Sequence, residues 1–385
     1  MNIPYGKQNI TQADIDAVVS TLQSDFLTQG PKVLEFEQKF ANYIGSKYAV
    51  AVANGTAALH LCTLALNVSN KSNVITTPIT FAASGNCIRY CGGNVFFADI
   101  NPETFLIDIK KLEALIISKP EGFFDGIIPV DFAGNAVNLE LIRSVANKYN
   151  LWIIEDSCHS PGGYFIDSRG NKQFCGNGSF ADLAIFSFHP VKHIACGEGG
   201  MITTNDKDLY ERLLLLRTHG ITKNPNQLVE NHGGWYMEMH ELGYNYRMPD
   251  MLCALGISQL TRAEAGLKKR KEIAKRYNDA FVDNKDVILP KFDDGHAFHL
   301  YIIQVENRLE LYNYLKDNNI FTQVHYVPLH TMPYYQKLGH KKGDFPSAEK
   351  YYSKCLSLPM YPTLTSEEQI FVINCINLFL TNKNQ

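Results

Sequence analysis

The chain has 385 residues, enough for two or three domains at roughly 150 residues each, and its 36 Lys and Arg against 39 Asp and Glu leave a formal charge of −3. With 45% hydrophobic and 19% charged residues it can bury a large core, but it lacks the positive field of a nucleic-acid binder. No run approaches the ~18 apolar residues of a membrane span, and the start MNIPYGKQNITQAD has neither the basic nor the apolar region of a secretion signal, so a cytoplasmic protein is expected.

In chain order, short β-rich runs fall at 48–52, 73–77, 94–98, 126–130, 151–155, 183–188 and 200–204. Helical patterns lie between several of them, at 56–67, at 108–117 with Leu112, Leu115 and Ile116 in helical spacing, and at 138–149 with Asn138 placed to cap. Strands alternating with helices predict βαβ units and an α/β fold with a mainly parallel sheet. Only 11 residues, 189–199, separate the last two runs. A parallel crossover needs a dozen or more, so one antiparallel strand is expected in a sheet of seven. From residue 251 the texture changes to one long helical stretch, 251–278. Strand candidates follow at 300–305 and 322–326, with helical patterns near 308–318, 348–357 and 366–380. This predicts a large domain over residues 1–250, and a connecting helix with a smaller C-terminal α+β domain over 251–385. Nine cysteines without a C-x-x-C pair read as free thiols in a reducing compartment.

Ligands of open α/β sheets bind outside the carboxyl ends of the parallel strands, and four such ends carry unusual residues. Asn54-Gly55-Thr56-Ala57 makes a tight turn opening a helix, a place for an anion, although it also reads as a plain Asn-Gly turn. Phe81 follows the second strand, where it can stack on a planar ligand or simply fill core. Asp156 closes the fifth strand, suited to holding a protonated ring nitrogen or to capping a helix. Lys192 lies beyond the sixth strand, between Ser187-Phe188-His189 and Gly197-Glu198-Gly199-Gly200. Desolvation there would make its amine nucleophilic, whereas most lysines are only solvated charges. Other signals fail their context. Gly176-Asn177-Gly178 precedes a strand instead of following one, and Pro190 disfavours a helix carrying His189 and His193 as metal ligands. No metal is expected. An anion site, an aromatic, an aspartate and a lysine at one sheet edge together suit pyridoxal phosphate held as a Schiff base, with Lys192 and Asp156 in the defining roles.

The same segments carry a family likeness. Phe26-Leu27-Thr28-Gln29-Gly30-Pro31, Asn54 to Leu59, Glu155-Asp156-Ser157-Cys158-His159, Phe186 to Lys192 with Gly197 to Gly200, and Gly243-Tyr244-Asn245-Tyr246-Arg247-Met248 resemble the DegT/DnrJ/StrS-type sugar aminotransferases, a branch of the fold-type I pyridoxal phosphate transferases. The segment Gln323-Val324-His325-Tyr326-Val327-Pro328-Leu329-His330 is similar to members that make UDP-4-amino-4,6-dideoxy-N-acetyl-β-L-altrosamine for pseudaminic acid synthesis.

The resemblance implies roles by position. Lys192 carries the cofactor and shuttles the proton, Asp156 pairs with the pyridinium nitrogen, His159 lies near the ring and its phenolic oxygen, and Phe81 stacks on the opposite face. Thr56, Ala57 and Ser187 hold the phosphate, and Asn245 reaches it from the other subunit of a homodimer with shared sites. Tyr5, Asp25, Phe26, Leu27, Thr28, Gly55, Leu329, His330 and Thr331 contact the sugar nucleotide, with Arg247 at its diphosphate. The expected reaction is ping-pong. L-Glutamate leaves pyridoxamine phosphate behind, and this aminates C4 of a UDP-linked 4-keto-6-deoxy amino sugar. The alternatives are a relative making a D-configured 4-amino or a 3-amino sugar, and a non-catalytic sensor on the same fold, against which the intact Lys192 speaks. Ala195-Cys196 departs from the small hydroxyl residues usual in the family.

Overall fold

All seven β-rich runs of the first 204 residues pair into one sheet in a computed structural model that describes residues 1–383. The strands are β1 (Tyr48–Val52), β2 (Asn73–Thr76), β3 (Asn94–Phe97), β4 (Gly126–Ile128), β5 (Trp152–Asp156), β6 (Leu183–Ser187) and β7 (Gly200–Thr204), in the order β1-β7-β6-β5-β4-β2-β3. β7 runs antiparallel to both β1 and β6, and the remaining pairs are parallel. The short 189–199 connection therefore does what its length dictates.

Both faces of the sheet are covered, which is why its strands are apolar at nearly every position. Alternation assigns Val50, Val74, Ile128, Ile154, Ile185 and Ile202 to one face, packed on helices Gly55–Ala65 and Ala83–Tyr90. Ile75, Ile127 and Ile153 point the other way, onto helices Ile109–Ile117 and Leu139–Tyr149. On that second face, Ala49, Ala51, Phe186 and Met201 meet Phe36 and Phe40 of helix Pro31–Ile44. Asn138 caps its helix as its residue type suggests, accepting from the Leu141 N–H.

The C-terminal part corrects three expectations. The single stretch 251–278 is two helices, Asp250–Leu260 and Ala263–Phe281. Thr261 turns its hydroxyl onto the Ser258 carbonyl, and Arg262, with ψ of 14°, swings its guanidinium onto Asp14. The helical pattern over 348–357 ends at Lys354. Cys355–Leu358 is instead a strand (β9) antiparallel to Tyr301–Gln304 (β8). Here β pairing across two cores overrides local propensity: Ile302 and Cys355 face the large core, while Ile303, Leu356 and Leu358 face a second one. The candidate strand 322–326 forms only one bridge, Gln323 to Ser357, because its later side chains are drawn into the site described below.

The second core collects Ile273, Tyr277, Phe281, Leu311, Leu315, Val372 and Ile376, together with Ile3 from the start of the chain. Ile3 bridges Ile320, so the first residues serve the C-terminal core. Among the described residues no helix is long and apolar enough to cross a membrane, and all nine cysteines are free, seven of them buried.

Candidate active site

A cavity of about 910 Å³ opens at the carboxyl edge of the parallel strands, where the turns after β1, β2, β5 and β6 converge. Lining it are Gly55, Thr56 and Ala57 after β1, Phe81 after β2, Asp156 and His159 at the end of β5, Ser187 and Lys192 after β6, and Tyr5 from the chain start. Nine residues singled out from sequence thus share one cavity.

The turn after β1 is built around two demands. Asn54 caps the helix by accepting from the Ala57 N–H at 2.8 Å, and its carbonyl accepts from Ala58. This leaves the N–H groups of Gly55 and Thr56 free to meet an anion. The Ala57 N–H is engaged by the cap, while Ala57 itself lines the cavity. Gly55 lets the turn approach the end of β6, since a Cβ there would lie 3.0 Å from Ser187 Cβ. Gly200 closes the other side, where a Cβ would lie 2.6 Å from the Asn54 carbonyl carbon.

Asp156 is buried, and its Oδ2 accepts from Ser84 Oγ at 2.7 Å and its Oδ1 from the Cys158 N–H at 3.2 Å. Burial pulls the Lys192 amine below its ordinary pKa; Arg270 pushes the same way, while Cys158 and Asp156 oppose. Arg270 is fully enclosed, its Nη1 donating to the carbonyls of Phe298, His299 and Met360. Lys192 Nζ lies 3.5 Å from His299 Nε2. The His159 ring lies 4.3 Å from that of His299, tilted by 38°, and its Nδ1 accepts from the Ala133 N–H at 3.2 Å. A ring that accepts at Nδ1 is neutral with its proton on Nε2, the atom that faces the Tyr326 hydroxyl at 3.3 Å. Burial and then the neighbouring Lys192 charge push its pKa far below the usual imidazole range, in agreement.

Several expected contacts lie elsewhere. Asp25, Phe26, Leu27 and Thr28 form an exposed turn outside the lining, tied down where the Leu27 carbonyl accepts from Asp250. Asn245 bridges Thr218 and Arg247 bridges Val52, also outside it. Leu329 and His330 are fully buried: the Leu329 N–H donates to the Pro78 carbonyl, and His330 Nε2 meets Glu349 at 2.9 Å. Neither they nor Thr331 line the cavity; Leu329 packs behind helix Ala83–Tyr90. Conversely, Ser84, His299, His325 and Tyr326 were not singled out for a role. His325 is held by Ser357 at 2.8 Å, and the Tyr326 ring sits 6.1 Å from that of Phe81. The pairing of His296 with His299 around Phe298 was the available signal for the second wall.

The model of the DegT/DnrJ/EryC1/StrS aminotransferase family matches residues 8–377. The UDP-4-amino-4,6-dideoxy-N-acetyl-beta-L-altrosamine transaminase of Campylobacter jejuni subsp. jejuni is 40% identical, over 96% of this chain and 95% of its own. GDP-perosamine synthase of Escherichia coli O157:H7 is 33% identical, over 99% of both chains. Among solved structures, Helicobacter pylori PseC, an aminotransferase involved in the biosynthesis of pseudoaminic acid, superposes with a TM-score of 0.88 at 31% identity, over 98% of both chains.

Proposed function

The chain belongs to the DegT/DnrJ/EryC1/StrS aminotransferase family, and we propose that this pyridoxal-phosphate-dependent sugar aminotransferase acts on C4 of a UDP-linked 2-acetamido-2,6-dideoxy-hexos-4-ulose. The amino donor is L-glutamate and the product UDP-4-amino-4,6-dideoxy-N-acetyl-β-L-altrosamine. Two facts support this choice over a GDP-linked D-sugar: the higher identity to the altrosamine transaminase and the likeness of segment 323–330 to its kind.

The cavity residues fit the cofactor. Free N–H groups at Gly55 and Thr56, with the Thr56 and Ser187 hydroxyls, offer donors to a phosphate. Asp156, already aimed by Ser84, suits a protonated ring nitrogen. Phe81, 61% exposed at the rim, offers a face for stacking. The buried Nδ1 of His299 has no protein partner, an atom that polar company in the cavity would satisfy. Pyridoxal phosphate, when bound, supplies the electron sink for the transfer.

The protein supplies position and proton. Lys192, its amine kept less basic by burial, takes the proton from Cα of the donor and delivers one to C4 of the sugar. Neutral His159 donates from Nε2 and adds no positive charge beside the lysine. Tyr5, whose ring lies 5.7 Å from that of His325, orients the sugar at the cavity mouth. Asn245, Arg247 and the Asp25–Thr28 turn lie off their own cavity, and we assign them to the cavity of a second subunit. The exposed apolar side chains Ile15, Val19, Leu22, Phe26, Leu27 and Leu34 support a homodimer that covers them.

The observation that carries the reading is the convergence of Lys192, Asp156 and the Gly55 helix start on one cavity. The test presents the enzyme with the C5-epimerised and the non-epimerised 4-keto sugar and assigns product stereochemistry. Preference for the epimerised substrate is expected; equal turnover, or the reverse preference, overturns the sugar assignment.

A further inference from the structure

Behind the cavity, two carboxyl groups meet in the core. Asp131 is fully buried and Glu155 almost so, and their oxygens lie within 4.8 Å of each other and of the Cys175 sulfur. The donors around them are unevenly shared. Asp131 Oδ1 accepts from the Val137 N–H at 2.8 Å and Oδ2 from Ser160 Oγ at 2.7 Å, whereas Glu155 accepts from the Gly176 N–H at 2.8 Å with the Ser157 hydroxyl nearby. Two carboxylates cannot both ionise in such contact. Burial raises both, but Asp131, with the Val137 N–H and the Ser160 hydroxyl on its two oxygens, keeps the charge, and the other keeps the proton.

Asp131 also begins the turn Phe132–Gly134, which touches the site at three points. Its N–H donates to the Asp156 carbonyl at 3.0 Å, and its carboxylate holds Ser160 beyond His159. Ala133, in the left-handed region at φ 61°, aims its N–H at His159 Nδ1. The same turn accepts from Ala297 and Leu300, so it also clamps the segment bearing His299.

We propose that Asp131 and Glu155 are positioning residues that act as one singly protonated pair: Glu155 donates its proton to ionised Asp131, and the Asp131 turn fixes both the Asp156 strand end and the tautomer of His159. The consequence for chemistry rests on the aminotransferase reading; the pair itself does not. Burial pushes the Glu155 carboxyl far up and the Asp131 charge adds to it, consistent with a proton held on Glu155. Burial also raises the Cys175 thiol, which leaves it neutral beside them.

The arrangement predicts an asymmetry between two isosteric changes. In Glu155→Gln the amide N–H replaces the acid O–H, and every partner is retained. In Asp131→Asn an N–H donor is turned towards groups that themselves donate, so the turn loses its hold on Asp156 and His159, and a loss of roughly thirtyfold in cofactor affinity, about 2 kcal/mol, is expected.

The experiment uses cofactor-stripped protein, so its outcome is separate from that of the transamination reading. Infrared spectra with 13C-labelled Glu should show a carboxylic-acid C=O band at neutral pH that Glu155→Gln removes. Ring 15N shifts should show His159 protonated on Nε2 in the wild type and in Glu155→Gln, with that pattern lost in Asp131→Asn. Reloading with pyridoxal phosphate then gives near-wild-type affinity for Glu155→Gln and the thirtyfold loss for Asp131→Asn. Absence of the band, equal damage from both substitutions, or a stoichiometric metal removable by chelator would each overturn the proposal.

Discussion

At the scale of single residues, Lys192 is the decisive position. Lys192→Ala should abolish the visible band of the cofactor-loaded protein and its bleaching by glutamate, and lower turnover by about a thousandfold or more. A variant that still bleaches would remove the lysine from its role. Tyr326→Phe deletes the hydroxyl opposite His159 Nε2 at 3.3 Å. A loss of turnover of about tenfold is expected, with the melting temperature little changed, since the ring remains in place. Lys192 and Asp156 could be picked from sequence because one lies a few residues beyond an apolar strand and the other closes one, where a charge is conspicuous. Tyr326, His299 and Ser84 could not. They act through partners 167, 107 and 72 positions away, and nothing local marks them.

Among the elements, the strands were the most readable, since two-sided burial makes each one an apolar run of fixed length. The breaks were harder. Helices Asp250–Leu260 and Ala263–Phe281 read as one because the signal that divides them is a distant carboxylate, Asp14. That contact has its own pH signature. Burial raises the Asp14 carboxyl, but the hydrogen bonds from Arg262 and Thr11 and the Arg262 charge overcome it and bring it to about 2. Because the folded value lies below the unfolded one, the stabilisation is present above pH ~4 and disappears as pH falls towards 2. It amounts to roughly 2 kcal/mol, which Asp14→Asn should remove in neutral-pH denaturant titrations. Gly200→Ala tests the turn instead. Its Cβ would press on the Asn54 backbone, which cannot yield as a side chain can. A destabilisation of about 1–3 kcal/mol and weaker cofactor retention are expected.

For the whole molecule, the proposed homodimer predicts complementation. Mixing Lys192→Ala with Asn245→Ala protomers should restore activity, up to about a quarter of wild-type sites under random pairing. No recovery would return Asn245 to its own subunit. Acid sensitivity is also a global property. His159, His296, His299 and His325 are buried and His193 half-buried, and desolvation is the chief cause that pushes all five pKa values down. Below pH ~6.5 the unfolded chain binds protons that the folded chain refuses, so stability falls as pH drops, by up to about 1.4 kcal/mol per unit for each ring. Urea midpoints between pH 7 and 5 measure this directly. We also propose the division into residues 1–250 and 251–385, with β8 and β9 facing both cores; limited proteolysis near 250 is its test.

The position of β7 between β1 and β6 reaches back to the ribosome. β1 is an edge strand whose one neighbour in the sheet, β7, begins at Gly200, 148 residues after β1 ends at Val52. At about 5–20 residues per second that interval lasts roughly 7–30 s, during which a nascent apolar strand has an open edge. The residue that ends the wait is Gly200 itself, the one that packs against Asn54. The turn after β1 therefore takes its final form only once Gly200, 148 residues beyond Val52, has been made.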